Sequence, residues 1–400
     1  MNLIRQDITV PFRFPVHFTT HAFAASNPVL RDVVADGHGL TPSRMLFVVD
    51  DGVVRHHPQV IGGIEEYCRH HQDVLELAAP VVVVPGGETV KNDPRHVTDL
   101  HRVMHDAALC RHSYVVAVGG GAVLDAVGYA AATAHRGIRM IRVATTVLAQ
   151  DDSAVGVKNG INAFGKKNYL GTFAPPFAVI NDFGFLPTLS DRDWRGGLAE
   201  AVKAALIRDR AFFDFLEQHA AALTGRDLSV TEHVIRRSAE IHLAHIATGG
   251  DPFESGSSRP LDFGHWAAHK LEQLTANRLG HGEAVGIGIA LDTTYAYLTG
   301  LLPEADWRRI LALLRALGLD LYAPELGDRV QFPDDPACVL RGLDEFREHL
   351  GGRLTIMLLR AIGQPVDVHE IRRDDMIRSI ELLKEVHEHD IPAQSQGTHR

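Results

Sequence analysis

The sequence lacks the long apolar stretches and the cysteine patterns of membrane and secreted proteins. Its apolar runs, such as Val81 to Val84, are far too short to cross a bilayer. The first residues lack the basic-then-apolar order of a signal peptide, and the three cysteines form neither a disulfide framework nor a CxxC metal clip. These absences favour a reducing compartment, so we expect a cytoplasmic protein without a membrane partner.

Positive charge is also scarce. The chain has 40 Lys and Arg against 50 Asp and Glu, and its net charge of −10 argues against a nucleic-acid partner. An anionic small molecule would need only a local cluster of lysines and arginines. The length of 400 residues exceeds what one core usually covers, so we expect two domains.

Short β-rich runs alternate with helical stretches over residues 1–190. Four runs predict strands: Arg44–Asp50, Val81–Val84, Tyr114–Val118 and Ile138–Ala144. This alternation predicts an α/β domain with a parallel sheet, in which ligands bind beyond the carboxyl ends of the strands. Acids, glycines or threonines follow each run, as a ligand site at that edge would require.

A glycine triplet, Gly119–Gly121, lies between a predicted strand and a predicted helix. Its backbone N–H groups could face a phosphate at the start of the helix. The triplet does not match the GxGxxG fingerprint, and a tight turn is the alternative. Asp50, at the end of another strand, could accept hydrogen bonds from ribose hydroxyls or could cap the next helix.

Lysines stand out in the less regular segment 147–190. Lys158, Lys166 and Lys167 lie among glycines and asparagines, a composition suited to a phosphorylated or polyhydroxylated ligand. A solvated basic loop is the alternative.

Apolar residues recur at helical spacing from about residue 190, which predicts a mostly α-helical domain over 191–390, followed by a polar tail at 391–400. His265 and His269 are four residues apart, so a helix would place both imidazoles on one face, and His281 follows behind two glycines. Converging imidazoles commonly hold zinc. Since the chain has 24 His, core or surface histidines are the alternative. Glu200 and Lys203 share a helix face as well, where an exposed ion pair is the alternative.

Taken together, the motifs resemble one family, the sugar phosphate cyclases, whose best-known member is 3-dehydroquinate synthase. They occur in family order and at family spacing: Gly86-Gly-Glu88 with Lys91, Gly119–Gly121 with Asp125, Thr145-Thr146, Asp152 with Lys158, Gly165-Lys-Lys-Asn168, Glu200 with Lys203, Phe-Gly-His265, His269 and His281-Gly-Glu283. The resemblance implies an N-terminal Rossmann-like dinucleotide-binding α/β domain followed by a mostly α-helical metal-binding domain.

The resemblance also implies roles for individual residues. NAD would contact Asp50, Glu88, Lys91, Gly120, Gly121, Asp125, Thr145, Thr146, Lys158, Lys167 and Thr188. One divalent ion, zinc or cobalt, would be held by Glu200, His265 and His281. Catalysis would involve Lys203, His269, Lys158 and Asp152. The phosphorylated sugar substrate would contact Arg136, Lys167, Asn168, Asp262 and Arg259, with Arg136 reaching across the interface of a homodimer.

Several positions differ from the dehydroquinate synthases, whose substrate carries a carboxylate. Asp262 stands where they have Asn, Ser258 where they have Arg, and Ala244 where they have Lys. Near the C-terminus, Glu348 and His349 occupy the region of a further family lysine. A pocket for a carboxylate should supply cations, so these differences disfavour a keto-acid substrate.

Two other branches share more of these features. Asp-Phe-Gly-His265 resembles the 2-epi-5-epi-valiolone synthases, which cyclise sedoheptulose 7-phosphate, although those often have Pro in place of His269. The surrounding segment resembles dehydroquinate-synthase-like proteins of ebo gene clusters. The sequence therefore favours a phosphorylated ketose, sedoheptulose 7-phosphate, as substrate, although Arg259 or Arg347 could replace the missing lysines.

Three alternatives stay open. The first is a 3-dehydroquinate synthase acting on 3-deoxy-arabino-heptulosonate 7-phosphate. The second is a metal-dependent polyol dehydrogenase, against which the lysine-rich segment argues because a neutral polyol needs no phosphate site. The third is a non-catalytic sugar-phosphate or nucleotide binder.

Overall fold

A parallel sheet organises the first half of the chain. The structure, a computed structural model, describes residues 3–37, 42–249, 251–254, 256, 259–349 and 351–389. Within these ranges the sheet contains β1 (Val16–Thr19), β2 (Ser43–Asp50), β3 (Leu75–Leu77), β4 (Val82–Val84), β5 (Tyr114–Gly119), β6 (Arg139–Ala144) and β9 (Ala178–Asp182). Its order is β1-β9-β6-β5-β2-β3, and β4 also pairs with β2.

The central strands are buried along nearly their whole length, as their apolar sequences predict. Every residue of β5 is buried, and so is every residue of β2 except Arg44. Parallel strands covered on both faces typically have such continuous apolar runs. All four predicted strands are confirmed within one residue at each end, whereas the short β1, β3 and β9 were not predicted.

Helices connect these strands, as expected for a parallel sheet. They are α1 (Val29–Ala35), α2 (Asp51–His56), α3 (Val60–His70), α4 (Thr89–Asn92), α5 (Arg95–Asp106) and α6 (Gly121–Thr133), with a 3-10 turn at Ala134–Arg136. The Rossmann-like α/β class expected from the sequence is therefore confirmed.

The segment 147–190 contains more regular structure than its sequence predicts. It begins with a π-helical turn, Ala149–Ser153, and continues as a two-stranded sheet of β7 (Lys158–Ala163) and β8 (Lys166–Phe173). The expected basic loop is therefore mostly a pair of strands, whose lysine-rich tip lies at Gly165. A 3-10 turn, Phe183–Thr188, follows β9.

The second half is mainly helical, as expected. It contains α7 (Asp191–Arg208), α8 (Arg210–Thr224), α9 (Leu228–Thr248), a 3-10 turn (Pro260–Asp262), α10 (His265–Leu274), α11 (His281–Leu298), α12 (Glu304–Ala316), α13 (Pro324–Gly327), α14 (Arg341–His349), β10 (Ile356–Ala361), β11 (Gln364–Val368) and α15 (Arg373–Glu388). Side-chain caps begin several helices; for example, Ser190 accepts a hydrogen bond from the N–H of Asp193.

The chain forms two compact units with interleaved boundaries. The first unit comprises Met1–Ala144, Val157–Ile161 and Leu170–Gly184, and the second comprises Thr145–Gly156, Asn162–Tyr169 and Phe185–Arg400. We retain 1–190 and 191–390 as the proposed division by function, while the tail at 391–400 lies outside the described residues. Among the described helices, none combines the length and apolar character that a membrane span needs.

Candidate metal centre and active site

Close helix contacts in the second unit depend on two pairs of glycines. A Cβ at Gly282 would lie 2.0 Å from the carbonyl oxygen of Gly196, and a Cβ at Gly288 would lie 2.0 Å from that of Gly264. Gly264 also has a φ of +77°, a left-handed conformation that favours glycine. These contacts set the start of α11 against α7 and the start of α10 against α11.

Three potential metal ligands converge at this junction. Glu200 lies on α7, while His265 and His281 are the first residues of α10 and α11. The Nε2 atoms of His265 and His281 lie 3.6 and 3.4 Å from Oε1 of Glu200. Ligand atoms around a tetrahedral zinc ion, at bonds of about 2.0–2.1 Å, stand roughly 3.3 Å apart. The spacing therefore fits one divalent ion.

The hydrogen bonds around the cluster direct the correct atoms inward. Nδ1 of His265 lies 3.1 Å from the carbonyl oxygen of Phe263, and Nδ1 of His281 lies 3.2 Å from Oε2 of Glu272. Both imidazoles can thus donate from Nδ1 and keep Nε2 for a metal. Oε1 of Glu200 is buried and accepts no hydrogen bond from the described residues. A buried anionic oxygen of this kind is costly unless a cation compensates it.

A buried lysine lies directly beside the proposed ligands. Nζ of Lys203 is 2.5 Å from Oε2 of Glu200 and 3.5 Å from Oδ1 of Asp152. Burial disfavours its charge, but the carboxylates of Asp152 and Glu200 raise the pKa of Lys203 above its usual value. Burial likewise opposes ionisation of Glu200, yet Lys203 lowers the pKa of that carboxyl to about 2. The exposed-pair alternative is wrong, since Glu200 and Lys203 are 1% and 2% exposed.

A second set of contacts surrounds the other face of His281. Nζ of Lys167 lies 2.5 Å from Oε1 of Glu272, whose other oxygen faces His281. Burial would lower the pKa of His281, but Glu272 and Glu200 overcome this and raise it to about 9. In the absence of metal this imidazole is therefore a cation at neutral pH, and a bound ion must displace its proton.

His269, Glu272 and His281 form an alternative ligand group. It is the weaker candidate, because both oxygens of Glu272 already face Lys167 and His281. The ring of His269 lies 5.4 Å from that of His265. Burial holds the pKa of His269 well below its usual value, so its imidazole is neutral at pH 7. It is suited to exchange a proton with a ligand.

In the first unit, Asp50 and two glycines meet at the carboxyl edge of the sheet. Oδ1 of Asp50 accepts a hydrogen bond from the N–H of Gly52 at 2.7 Å, so the helix-cap alternative is realised. A Cβ at Gly86 would lie 2.4 Å from Oδ1 of Asp50, and a Cβ at Gly119 would lie 3.0 Å from its Cβ. Burial raises the pKa of Asp50 above its usual value.

The glycine triplet has the geometry of a phosphate site. Gly120 caps α6 in extended conformation and Gly121 begins the helix, directly after β5. Lys91 in α4, three residues after Glu88, is buried and places its Nζ 2.7 Å from Oδ2 of Asp125. The edge therefore offers backbone donors at a helix N-terminus and charged groups beside it, which fits a dinucleotide.

The other residues predicted to bind NAD or substrate make local contacts or are exposed. In the second unit, Oγ1 of Thr146, next to Thr145, accepts from the N–H of Ala149, and the hydroxyl of Thr188 donates to the carbonyl oxygen of Phe185. Lys158 and Arg136 belong to the first unit, and both are exposed. Asn168 is exposed in the second unit, where its N–H donates to Asn162. These assignments stay predictions.

Sequence reasoning missed two residues of the cluster, Glu272 and His242. Glu272 stands three residues after His269, so helical spacing could have placed it on the same face. His242 on α9 directs Nδ1 to Oδ1 of Asp152 at a distance of 2.9 Å. No local pattern signals that contact, since 90 residues separate its partners.

Comparison with known proteins identifies relatives over most of the chain. The 3-dehydroquinate synthase family models match residues 81–196 with their N-terminal part and 197–332 with their C-terminal part. The 3-dehydroquinate synthase of Halorhodospira halophila is 35% identical over 80% of this chain and 89% of its own length. That of Nitrosospira multiformis is 39% identical over 75% of this chain and 79% of its own.

Solved structures extend the similarity. A 2-epi-5-epi-valiolone synthase from Streptomyces hygroscopicus, with NAD+ and Zn2+ bound, is 29% identical and superimposes with a TM-score of 0.83 over 96% of this chain and 99% of its own. A 2-deoxy-scyllo-inosose synthase complexed with carbaglucose-6-phosphate, NAD+ and Co2+ is 23% identical, with a TM-score of 0.73 over 93% of this chain and 96% of its own, and shows the shared fold.

Proposed function

The chain belongs to the 3-dehydroquinate synthase family of sugar phosphate cyclases, and we propose that it converts a phosphorylated ketose into a C7 cyclitol with elimination of phosphate. The proposed substrate is sedoheptulose 7-phosphate, and the proposed cofactors are NAD and one zinc or cobalt ion. Such an enzyme is a carbon–oxygen lyase. Family membership supports the reaction class, and the charges of the second unit support the substrate.

The cluster of the buried Glu200 and His265 with the half-buried His281 is the observation that carries the proposal. One carboxylate and two imidazoles around a single point leave coordination positions for substrate oxygens, as a catalytic zinc site requires. A metal held there supplies Lewis acidity to a substrate hydroxyl or carbonyl, and NAD supplies a temporary acceptor for hydride.

Lys203 and Asp152 provide a fixed charge beside that site. Because its pKa is raised, Lys203 stays protonated and can stabilise negative charge on a substrate oxygen or on the departing phosphate. It is too strongly stabilised as a cation to serve as a base at neutral pH. Neutral His269 is better suited to accept a proton, for which positioned acids and bases typically supply about 10²–10⁴ in rate.

The substrate proposal depends on the surroundings of Arg259, the arginine that could have replaced the missing family cations. Its guanidinium lies 3.8 Å from Oε2 of Glu254 and 3.9 Å from Oδ2 of Asp262. Two carboxylates flank one cation, and their negative charge disfavours a substrate carboxylate beside Arg259. Hydroxyl groups of a ketose could instead donate to these oxygens.

The other substituted positions support the same conclusion. Ala244 on α9 carries no charge where the dehydroquinate synthases have Lys. Arg347 pairs with Asp344 at 3.1 Å, and Glu348 lies 3.3 Å from Nζ of Lys166. The side chains of Ser258 and His349 lie outside the described residues. A substrate with a terminal hydroxymethyl group fits these charges better than one with a carboxylate.

We expect the purified protein, with NAD and zinc or cobalt, to release phosphate from sedoheptulose 7-phosphate. Its kcat/KM for that sugar should exceed the value for 3-deoxy-arabino-heptulosonate 7-phosphate by about tenfold or more, since even 1.4 kcal/mol of unfavourable carboxylate burial has that effect. Phosphate release measured for both substrates, with the products identified by NMR, tests this. Preferential turnover of the keto acid to dehydroquinate would contradict the substrate proposal.

Restoring the family lysine sharpens the test. Ala244→Lys should shift the ratio of kcat/KM values toward the keto acid, because it adds a cation where the dehydroquinate synthases have one. Ala247→Lys, which adds the same charge at another exposed position of α9, should leave the ratio unchanged.

The second candidate function is 3-dehydroquinate synthase itself. The curated relatives with 35–39% identity carry that name, which is the observation in its favour. The same two-substrate comparison decides between the candidates.

NAD should be needed only in catalytic amounts. Because the proposed reaction involves no net oxidation or reduction, product should exceed NAD many times over while the absorbance of free NADH stays flat. A rise in NADH that matches product formation would contradict the cyclase and favour a polyol dehydrogenase. Absorbance near the NADH band, followed together with phosphate release, distinguishes the two.

We also propose a homodimer in which Arg136 reaches the substrate phosphate of the partner. Arg136 is exposed, in a 3-10 turn at the end of α6, and has a φ of +63°. The family resemblance supports this role.

A further inference from the structure

Asp152 makes two contacts through one oxygen. Its Oδ1 lies 2.9 Å from Nδ1 of His242 and 3.5 Å from Nζ of Lys203. Oδ2 accepts no hydrogen bond from the described residues. The side chain of Asp152 is 19% exposed, so a ligand can reach part of this carboxylate. One oxygen thus faces the protein while the other can face the substrate.

His242 is well placed to hold this arrangement. It lies on α9, which packs against the π-helical turn that carries Asp152 and against α7, which carries Lys203. A Cβ at Gly156 would lie 3.7 Å from Nε2 of His242, so the chain after the turn covers the far side of the ring. With Nδ1 on Asp152 and Nε2 against Gly156, the imidazole has a defined orientation.

Asp152 needs a fixed orientation because Lys203 lies between two carboxylates. This lysine faces both Glu200 and Asp152, and a metal on Glu200 would compete for the first of these carboxylates. Asp152 then remains as its main counter-ion. Rotation of the Asp152 carboxylate about its Cβ–Cγ bond would exchange its two oxygens and displace Lys203. A hydrogen-bond donor in a fixed position at Oδ1 prevents this rotation.

We infer that His242 is a positioning residue for the proposed reaction: it fixes the Asp152 carboxylate so that Oδ1 holds Lys203 and Oδ2 faces the substrate. This inference rests on the proposed function. Because His242 acts through Asp152, its loss should reduce turnover without changing the metal content.

Three substitutions of His242 and one control test the inference. His242→Leu keeps the bulk and removes the donor, so kcat should fall about 10- to 100-fold, as expected for a lost hydrogen bond to a charged group. His242→Asn retains a short N–H donor near the position of Nδ1 and should recover most of that loss. His242→Gln places its amide near the position of Nε2 and should not. His233→Leu removes an exposed imidazole from the same helix and should keep wild-type kcat.

Each variant is compared for phosphate release, zinc per chain and thermal unfolding. Recovery of kcat in His242→Asn, with one zinc per chain in every variant, supports the positioning role of His242. If His242→Leu does not fold, His242→Gln serves as the variant that lacks the donor. Full turnover in His242→Leu, or equal loss in the Asn and Leu variants, would overturn the inference. Failure of the wild-type protein to release phosphate from either substrate would overturn the proposed function, and this inference with it.

Discussion

His265→Ala is expected to remove the bound metal and to lower turnover by about a thousandfold or more. The substitution deletes one of three ligands and leaves Oε1 of Glu200 with a single imidazole partner. Metal polarisation of a substrate oxygen supplies several kcal/mol, and each 1.36 kcal/mol is a factor of ten in rate. Zinc per chain, measured after dialysis, and phosphate release check the two parts of this expectation.

His269→Ala is the matched control for the metal assignment. It removes a neighbouring imidazole that belongs only to the alternative group of His269, Glu272 and His281. We expect this variant to keep its zinc and lose activity, because His269 is proposed to exchange protons. Metal lost from His269→Ala and kept by His265→Ala would place the ion in the alternative group.

Lys203→Met should have the second largest effect. In the metal-free protein it leaves the buried Glu200 and the partly exposed Asp152 without their shared cation, and removing one partner of a buried ion pair typically costs about 3–5 kcal/mol of folding free energy. Zinc should restore part of this stability, since it supplies positive charge to Glu200. Turnover should fall by about 10²–10⁴. Thermal unfolding with and without zinc, together with kcat, measures these effects.

The same ion pair predicts the pH dependence of stability in the metal-free protein. The pKa of Glu200 is lowered from 4.5 to about 2, so its contribution should be present above about pH 4.5 and lost as the pH falls through 2. Lys203→Met should reduce this loss. Lys270→Met serves as control, because Lys270 is also buried but pairs with the partly exposed Glu345 outside the cluster. Equal stability of wild type and Lys203→Met without zinc would contradict the role assigned to the pair.

Much of the sheet could be predicted from local sequence. The strands β2, β5 and β6 are continuous apolar runs because helices cover both faces of a parallel sheet, and a run of this kind is visible without its partners. β1 was missed because its residues are only half-buried, so Val16–Thr19 carries a mixed pattern. The sequence of β7 and β8 predicts a loop because lysines, asparagines and glycines recur in both segments.

The ligand set shows how far spacing alone can go. Helical spacing predicts that His265 and His269 lie on one face of a helix. It does not show which of these two histidines lies close to Glu200. That choice came from the family resemblance. Of the two histidines of α10, His265 is the one whose Nε2 lies 3.6 Å from Oε1 of Glu200, and it shares a potential ligand group with Glu200 and His281. The positions of the backbones are set by glycine contacts that no local pattern reveals.

The sequence by itself determined the family, the alternation of strands and helices in the first half of the chain, and the residue types of the centre. Only the tertiary structure decided which charges from distant parts of the chain meet: His242 with Asp152, and Lys167 with Glu272. The physical reason is that hydrophobic patterns and turn residues act over a few neighbours along the chain. A contact between residues 90 or 105 positions apart depends on how whole helices pack, and that is fixed only when the core forms.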